Sequence, residues 1–152
     1  MTRKIALLAA SALLLQGVPA IADDMPLIDA HIHYSHDAWD MLPPDKAVQA
    51  LRAAGLTQAF VSSSSDLGTQ KLYAEAPDLI VPVLRPYRKR GETGTWHNDP
   101  TVGDMVADLL AKNRYAGIGE FHVYGEDVEK PVVRRVVQLE QIPIILFHSL
   151  QL

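Results

Sequence analysis

Two histidines two residues apart, His31 and His33, stand in the apolar stretch Ile28-Asp29-Ala30-His31-Ile32-His33-Tyr34. In an extended strand, side chains i and i+2 share a face. Both imidazoles and Asp29 then project together, while Ile28, Ala30 and Ile32 face the other way and can pack on helices. Two imidazoles side by side at a strand end suit one divalent metal ion. His-x-His alone is as readily a pair of strand histidines without a ligand, so its companions must decide. Glu120 and His122 repeat the i, i+2 spacing after Gly117-Ile118-Gly119, Arg85 follows a nearly continuous apolar run, and His148 closes the run Ile142-Pro143-Ile144-Ile145-Leu146-Phe147.

The elements that must position these side chains alternate between strand and helix. Strands are expected over 27–34, 57–61, 79–84, 115–123 and 142–147. Helices are expected over about 45–54, from Ser65 or Asp66 to about Ala76, after Asp99-Pro100, and over 131–141. Ala47, Val48, Leu51 and Ala54 follow helical spacing, and Gly55 sits where a C-terminal glycine belongs. Asp99-Pro100 is a good cap and first-turn pair, followed by the apolar stripe Val102, Met105, Val106, Leu109 and Leu110. Gly117 and Gly119 allow a close neighbour. Residues 35–44, 88–98 and 125–129 are expected to be loops. Five strands alternating with four helices predict an α/β fold with a parallel sheet. No glycine-rich phosphate fingerprint follows the first strand, which argues against a dinucleotide site.

In parallel α/β folds, chemistry gathers at the C-terminal ends of strands. His31, His33, Arg85, Glu120, His122 and His148 all fall there, and His36 and His97 fall in loops on the same rim. A carboxylate and three imidazoles converging on one rim make a credible divalent metal site, with zinc the best match by ligand type. Each residue also has a plainer use. Glu120 can pair with Arg85 or Arg114, and His148 can be a satisfied core histidine. His122 is either a substrate contact or a solvent-exposed side chain. Arg85 either holds an anionic substrate group bidentately or neutralises Asp29 or Glu120, the second being favoured slightly. Tyr34, Trp39, Tyr87, Trp96, His97 and Tyr124 lie in rim loops, where they line a pocket or simply pack. Of these, Tyr34 and Tyr87 join Arg85 and His122 as candidate substrate contacts.

The ordered set Asp29-Ala30-His31-Ile32-His33, Gly117-Ile118-Gly119-Glu120-Phe121-His122 and Phe147-His148-Ser149 resembles the amidohydrolase superfamily, most closely its amidohydrolase-related branch of TIM-barrel metal hydrolases. The resemblance spans residues 26–149 and implies a partial (β/α) barrel. It implies His31 and His33 as first-strand metal ligands, Glu120 as the fourth-strand carboxylate ligand, and His148 as the fifth-strand ligand. Glu120 and His148 would serve catalysis through one or two metal ions, most plausibly zinc. The implied reaction is attack of metal-activated water on a carbonyl or phosphoryl centre of a small molecule. Decarboxylation of an aromatic or unsaturated acid occurs in the same branch and is the alternative. Family members continue through three further strands with another histidine and an aspartate. Residues 23–152 are therefore expected to be the N-terminal part of such a barrel, to be completed by a second chain or by further residues, or else a non-catalytic truncated remnant.

The N-terminus carries a different signal. Thr2-Arg3-Lys4, the apolar run of residues 5–18 and Pro19-Ala20-Ile21-Ala22 read as a secretory signal peptide over residues 1–22, cleaved before Asp23. That predicts a periplasmic or secreted protein, since the apolar run is short for a span and no later stretch is longer. Residues 23–152 hold 12 basic and 18 acidic side chains, a formal charge of −6. This balance argues against nucleic acid or an anionic membrane surface as partner. The chain has no cysteine, so stability must come from a packed core or from metal rather than from disulfides.

Overall fold

The computed structural model describes residues 25–139. The expected signal peptide, the fifth strand and His148 lie outside the described residues. The described elements are β1 (Leu27–Ile32), α1 (His36–Trp39), α2 (Pro44–Ala53), β2 (Leu56–Val61), α3 (Asp66–Glu75), β3 (Ile80–Leu84), α4 (Thr101–Lys112), β4 (Gly117–Ile118) and α5 (Pro131–Gln138). Short 3₁₀ turns occupy Glu92–Gly94, Trp96–Asn98 and Gly125–Glu129, within two segments expected to be plain loops. The four strands form one sheet in the order β1-β2-β3-β4, and every neighbouring pair is parallel. The α/β class and the parallel sheet therefore stand.

Local sequence explains where each helix stops. Gly55 follows α2 with φ +80°, a left-handed conformation that a side chain would strain. Its N–H bonds the Arg52 carbonyl at 2.9 Å, and Ala54 N–H bonds the Ala50 carbonyl at 3.0 Å. These bonds satisfy two of the carbonyls that a helix end leaves open. α4 begins at Thr101, two residues beyond Asp99. Asp99 Oδ1 accepts from Thr101 N–H at 2.9 Å and from Thr101 Oγ1 at 2.6 Å. Those bonds, with Arg88 at 2.7 Å, hold its carboxyl down at about 2.

Two apolar clusters make the core. Val61 and Ala59 of β2 and Ile80 of β3 pack with Ala47 and Val48 of α2 and Leu72 of α3. Leu84 and Ile118, at the ends of β3 and β4, pack with Val102 and Val106 of α4, Val132, Val133 and Val136 of α5, and Tyr87 and Trp96. β1 is the edge of the described sheet, paired only with β2. Of its outward-facing residues, Ile32 packs against the first cluster, whereas Ile28 remains 47% exposed. An edge strand has no neighbour on one side to cover such a residue.

The fourth strand is much shorter than its apolar sequence suggests. Only Gly117–Ile118 pair with Val83 and Leu84, and the last bond of the ladder runs from Gly119 N–H to the Leu84 carbonyl at 2.8 Å. Glu120 and His122 thus sit beyond β4 rather than inside it.

Candidate metal centre

Parallel strands place all their C-terminal ends on one edge of the sheet, and the side chains with chemical potential meet there. His31 is the penultimate residue of β1, and His33 is the first residue after it. Glu120 comes from the segment after β4. β1 and β4 are separated by two strands, so a flat sheet would hold their axes about 14 Å apart at about 4.8 Å per step. Nevertheless Glu120 Oε2 lies 3.2 Å from His31 Nε2 and 3.2 Å from His33 Nε2. Such contact needs the strands, or the segment after β4, to bend toward the face that carries these side chains.

The two Nε2 atoms are themselves 2.9 Å apart, with the rings edge to face. The three atoms form a near-equilateral triangle, and the three residues are the one His/Asp/Glu cluster of metal-binding geometry among the described residues. Ligand atoms bound tetrahedrally at about 2.0–2.1 Å from a zinc ion stand about 3.3 Å from one another. Separations of 2.9–3.2 Å fit that spacing. Glu120 Oε2 is also buried and has no hydrogen-bond partner. Arg85 lies 3.4 Å away without a hydrogen bond to it, so this oxygen keeps acceptor capacity that an ion would use, and the residues fit one.

Neighbouring groups orient the ligands. His33 Nδ1 contacts the Ser62 carbonyl, an acceptor only. His33 therefore carries its proton on Nδ1, and its Nε2 lone pair faces the triangle. This is the backbone-to-histidine support common behind metal-binding imidazoles. Burial, then the adjacent Arg85 charge, lowers the His33 pKa and keeps the ring neutral. Asp29 Oδ1 accepts the His31 backbone N–H at 3.0 Å. Asp29 thus braces the strand end rather than joining the cluster.

Arg85 is the first residue after β3, between the two halves of the site. It is 6% exposed. Its Nε donates to the Glu120 carbonyl at 3.1 Å, and one terminal nitrogen lies 3.4 Å from Glu120 Oε2. Its guanidinium lies over the Tyr87 ring, 4.6 Å from the centroid. The pairing with Glu120 is thus realised, and Arg114 plays no part in it. Arg85 also lines a cavity of about 660 Å³ together with His33.

The remaining expected contacts divide. His122 is partly exposed, borders a smaller cavity with Thr93, Gly94 and Tyr124, and has Nε2 3.7 Å from Glu120 Oε1. Tyr87 is 1% exposed and is not in either cavity lining. Its hydroxyl accepts the His122 backbone N–H at 2.7 Å and lies 3.0 Å from His122 Nδ1. Burial pushes its phenol up, so the hydroxyl keeps its proton, and His122 Nδ1 is the acceptor placed to take it. His122 is then the Nε2–H tautomer, with that donor turned toward Glu120. Tyr34 is buried, and its hydroxyl donates to the Leu42 carbonyl at 2.6 Å. Both tyrosines are buried, and neither lines the two cavities. His97 is buried between Lys130, at 3.0 Å, and Asp127, at 3.5 Å, tying the loop before α4 to the turn before α5. His36 opens α1 and is exposed. Trp39 donates to the Tyr34 carbonyl at 3.2 Å, and Trp96 donates to the His122 carbonyl at 2.9 Å.

Sequence reasoning missed Ser62, whose contribution is a carbonyl that any residue type would supply. It also missed Asp37 and Arg90, which both line the larger cavity and pair at 2.7 Å. The two are 53 positions apart, so no local pattern pairs them.

Comparison with protein-family models, with curated proteins and with solved structures returns no match to this chain. No helix among the described residues is long and apolar enough to cross a membrane.

Proposed function

We propose that this chain belongs to a divalent-metal-dependent hydrolase of the amidohydrolase type, with His31, His33 and Glu120 as metal ligands and a partial (β/α) barrel as scaffold. One observation carries the reading. Three ligand atoms from opposite ends of the sheet converge within 2.9–3.2 Å of one another, and one of them is a buried carboxylate oxygen with no hydrogen bond. An ion held there would supply an acidified water near neutral pH and a Lewis acid for the substrate oxygen.

The chain's own residues prepare that chemistry. The Ser62 carbonyl fixes the His33 tautomer so that Nε2 is free to bind. Arg85 and the segment after β4 hold the Glu120 carboxylate toward the histidines. The adjoining cavity, about 660 Å³, is of ordinary size for a small organic substrate. His148 would complete the ligand set by the family resemblance, and the export signal would place the protein in the periplasm or outside the cell.

Metal analysis of protein purified without chelator, followed by hydrolysis assays on ester and amide panels, tests the reading. Stoichiometric zinc and metal-dependent turnover are expected. Absence of both bound metal and zinc-induced thermal stabilisation would sink it. A decarboxylase is the second reading, favoured by one observation: buried Arg85 lines the cavity next to His33. Release of CO₂ from acid substrates, without hydrolysis of esters or amides, would establish that alternative.

A further inference from the structure

His97 is a buried, ionisable side chain that the metal-dependent chemistry does not use. It sits in the 3₁₀ turn Trp96–Asn98 and is 5% exposed. Its Nδ1 lies 3.0 Å from Nζ of Lys130, the residue before α5. An ammonium can only donate, so Nδ1 accepts and the ring is neutral, with its proton on Nε2. Lys130 has three donors, and the fold gives it three acceptors. The other two are Asn98 Oδ1 and Asp127 Oδ1, each at 2.6 Å. His97 Nε2 faces the second Asp127 oxygen at 3.5 Å.

This knot closes a strap, residues 92–98, that borders both cavities. Thr93 lines the larger one with His33 and Arg85, and Thr93 and Gly94 line the smaller one with His122. The strap's first end is held by Glu92, whose carboxylate accepts from Arg88 N–H at 2.7 Å and from Arg88 Nε at 3.1 Å. Its last end is held by Trp96, which donates to the His122 carbonyl at 2.9 Å, and by the Lys130 knot. Of these ties only the knot contains a histidine side chain, the type that changes charge near neutral pH.

A proton on Nδ1 would turn the acceptor into a donor and set two cations 3.0 Å apart. Asp127 could not answer both, because its Oδ1 is engaged by Lys130 at 2.6 Å and its Oδ2 is 3.5 Å from His97. The Lys130 bond holds the Asp127 carboxyl below its ordinary range, so Asp127 stays ionised while the histidine takes up its proton. Other charges on the packed elements are committed elsewhere: Arg134 to Glu129, Arg135 to Asp104, and Asp99 to Arg88. Glu126 is exposed. The closed strap therefore favours neutral His97, and acid favours release. We propose that His97 and Lys130 form an acid-released clasp, which fixes the strap 92–98 beside the two cavities near neutral pH and frees its C-terminal end as His97 is protonated. Calling this regulation of activity rests on the metal-dependent function proposed above, whereas the clasp itself stands on the buried histidine and its lysine.

The test follows the full, metal-free chain by NMR from about pH 7.5 to about pH 5. In ¹⁵N-histidine spectra at the upper pH, His97 should show an unprotonated Nδ1 and a protonated Nε2. The Asn98 and Asp99 amides bond the Thr95 and Trp96 carbonyls. Their protection from hydrogen exchange, corrected for intrinsic rates, should fall at least about tenfold at the lower pH and follow His97 protonation. The Ala54 amide at the end of α2 should not change. His97→Asn keeps an acceptor at the Nδ1 position but cannot be charged, and should hold the strap at both pH values. Lys130→Met should give low protection at both. An Nδ1–H tautomer at the upper pH, protection that ignores pH or departs from the His97 titration, an undiminished step in folded His97→Asn, or full protection in folded Lys130→Met overturns the clasp. If neither variant folds, the tautomer and the coincidence of the two curves in the parent still decide. Zinc binding is measured separately. Its absence alongside an intact pH step removes the metal-dependent function and leaves the clasp standing.

Discussion

His31 Nε2 and His33 Nε2 stand 2.9 Å apart, and each is 3.2 Å from Glu120 Oε2. Three electron-rich atoms at that spacing repel one another unless a proton or a cation lies among them. Burial and the Arg85 charge lower the His33 pKa, and a divalent cation among the three atoms would relieve their repulsion.

Zinc titrated into metal-free protein should therefore raise the thermal unfolding midpoint. At zinc concentrations about 100 times the dissociation constant the added stability is about 2.7 kcal/mol. His31→Ala, His33→Ala and Glu120→Ala should each remove most of that increment. Differential scanning calorimetry with and without zinc measures it directly, and a variant that responds to zinc like the parent would exclude its residue from the site.

The contact between Tyr87 and His122 makes a spectroscopic prediction. The Tyr87 hydroxyl accepts the His122 backbone N–H at 2.7 Å and gives its own proton to Nδ1 at 3.0 Å. In ¹⁵N-labelled histidine spectra, His122 should show an unprotonated Nδ1 and a protonated Nε2. Tyr87→Phe removes the donor and should give a mixture of tautomers. An Nδ1–H tautomer in the parent protein would contradict the assignment.

Gly68, in the first turn of α3, predicts an indirect loss of metal binding. A Cβ at this position would stand 1.8 Å from the Tyr34 carbonyl oxygen and 3.1 Å from Ser63 Cβ. Alanine improves helix propensity by about 1 kcal/mol, but the clash is with backbone that immediately follows His33, and overpacking costs about 1–3 kcal/mol or more. The clash should prevail. Gly68→Ala is expected to lower the midpoint of urea unfolding and to weaken zinc affinity, although Gly68 touches no ligand. Greater stability with unchanged zinc affinity would show that the segment relaxes freely.

A buried carboxylate elsewhere yields a pH prediction. Burial raises the Asp66 pKa above its ordinary value. Tyr115 Oη donates to Asp66 Oδ2 at 2.7 Å, linking α3 to the segment before β4. The bond favours ionised Asp66, so its stabilisation is present above the Asp66 pKa and is lost as pH falls through it. Tyr115→Phe should cost about 1–3 kcal/mol at pH 7. The gap from the parent should narrow on acidification, beginning on the neutral side of pH 3.8. Denaturant midpoints of both proteins between pH 7 and pH 4 measure this, and a constant gap would mean that the hydroxyl matters only for packing.

Much of the site was legible in the sequence because its cues are local. The i, i+2 spacing of His31 and His33 puts both imidazoles on one face wherever the segment is extended. Alternating apolar runs, Gly55 and Asp99-Pro100 mark the helices and strands to within a few residues. The placement of Glu120 after an apolar run was enough to bring it to the same edge as the histidines. The extent of β4 was not legible, because strand length depends on a partner. Beyond Gly119 the chain has no further ladder bond to β3, whatever its apolar content.

By itself, then, the sequence determined a parallel α/β arrangement and a rim bearing imidazoles and a carboxylate. Residue type and period set both, and each is a property of a few neighbouring positions. Only the tertiary structure decided which of those groups meet. It brought Glu120 within 3.2 Å of His31 and His33 across two intervening strands, buried Tyr34 and Tyr87, and set Arg85 beside both Glu120 and a cavity. Such contacts join residues up to 89 positions apart. They follow from how the strands and the segments after them are placed in space and from competition among donors for a limited set of buried acceptors, neither of which any local pattern records.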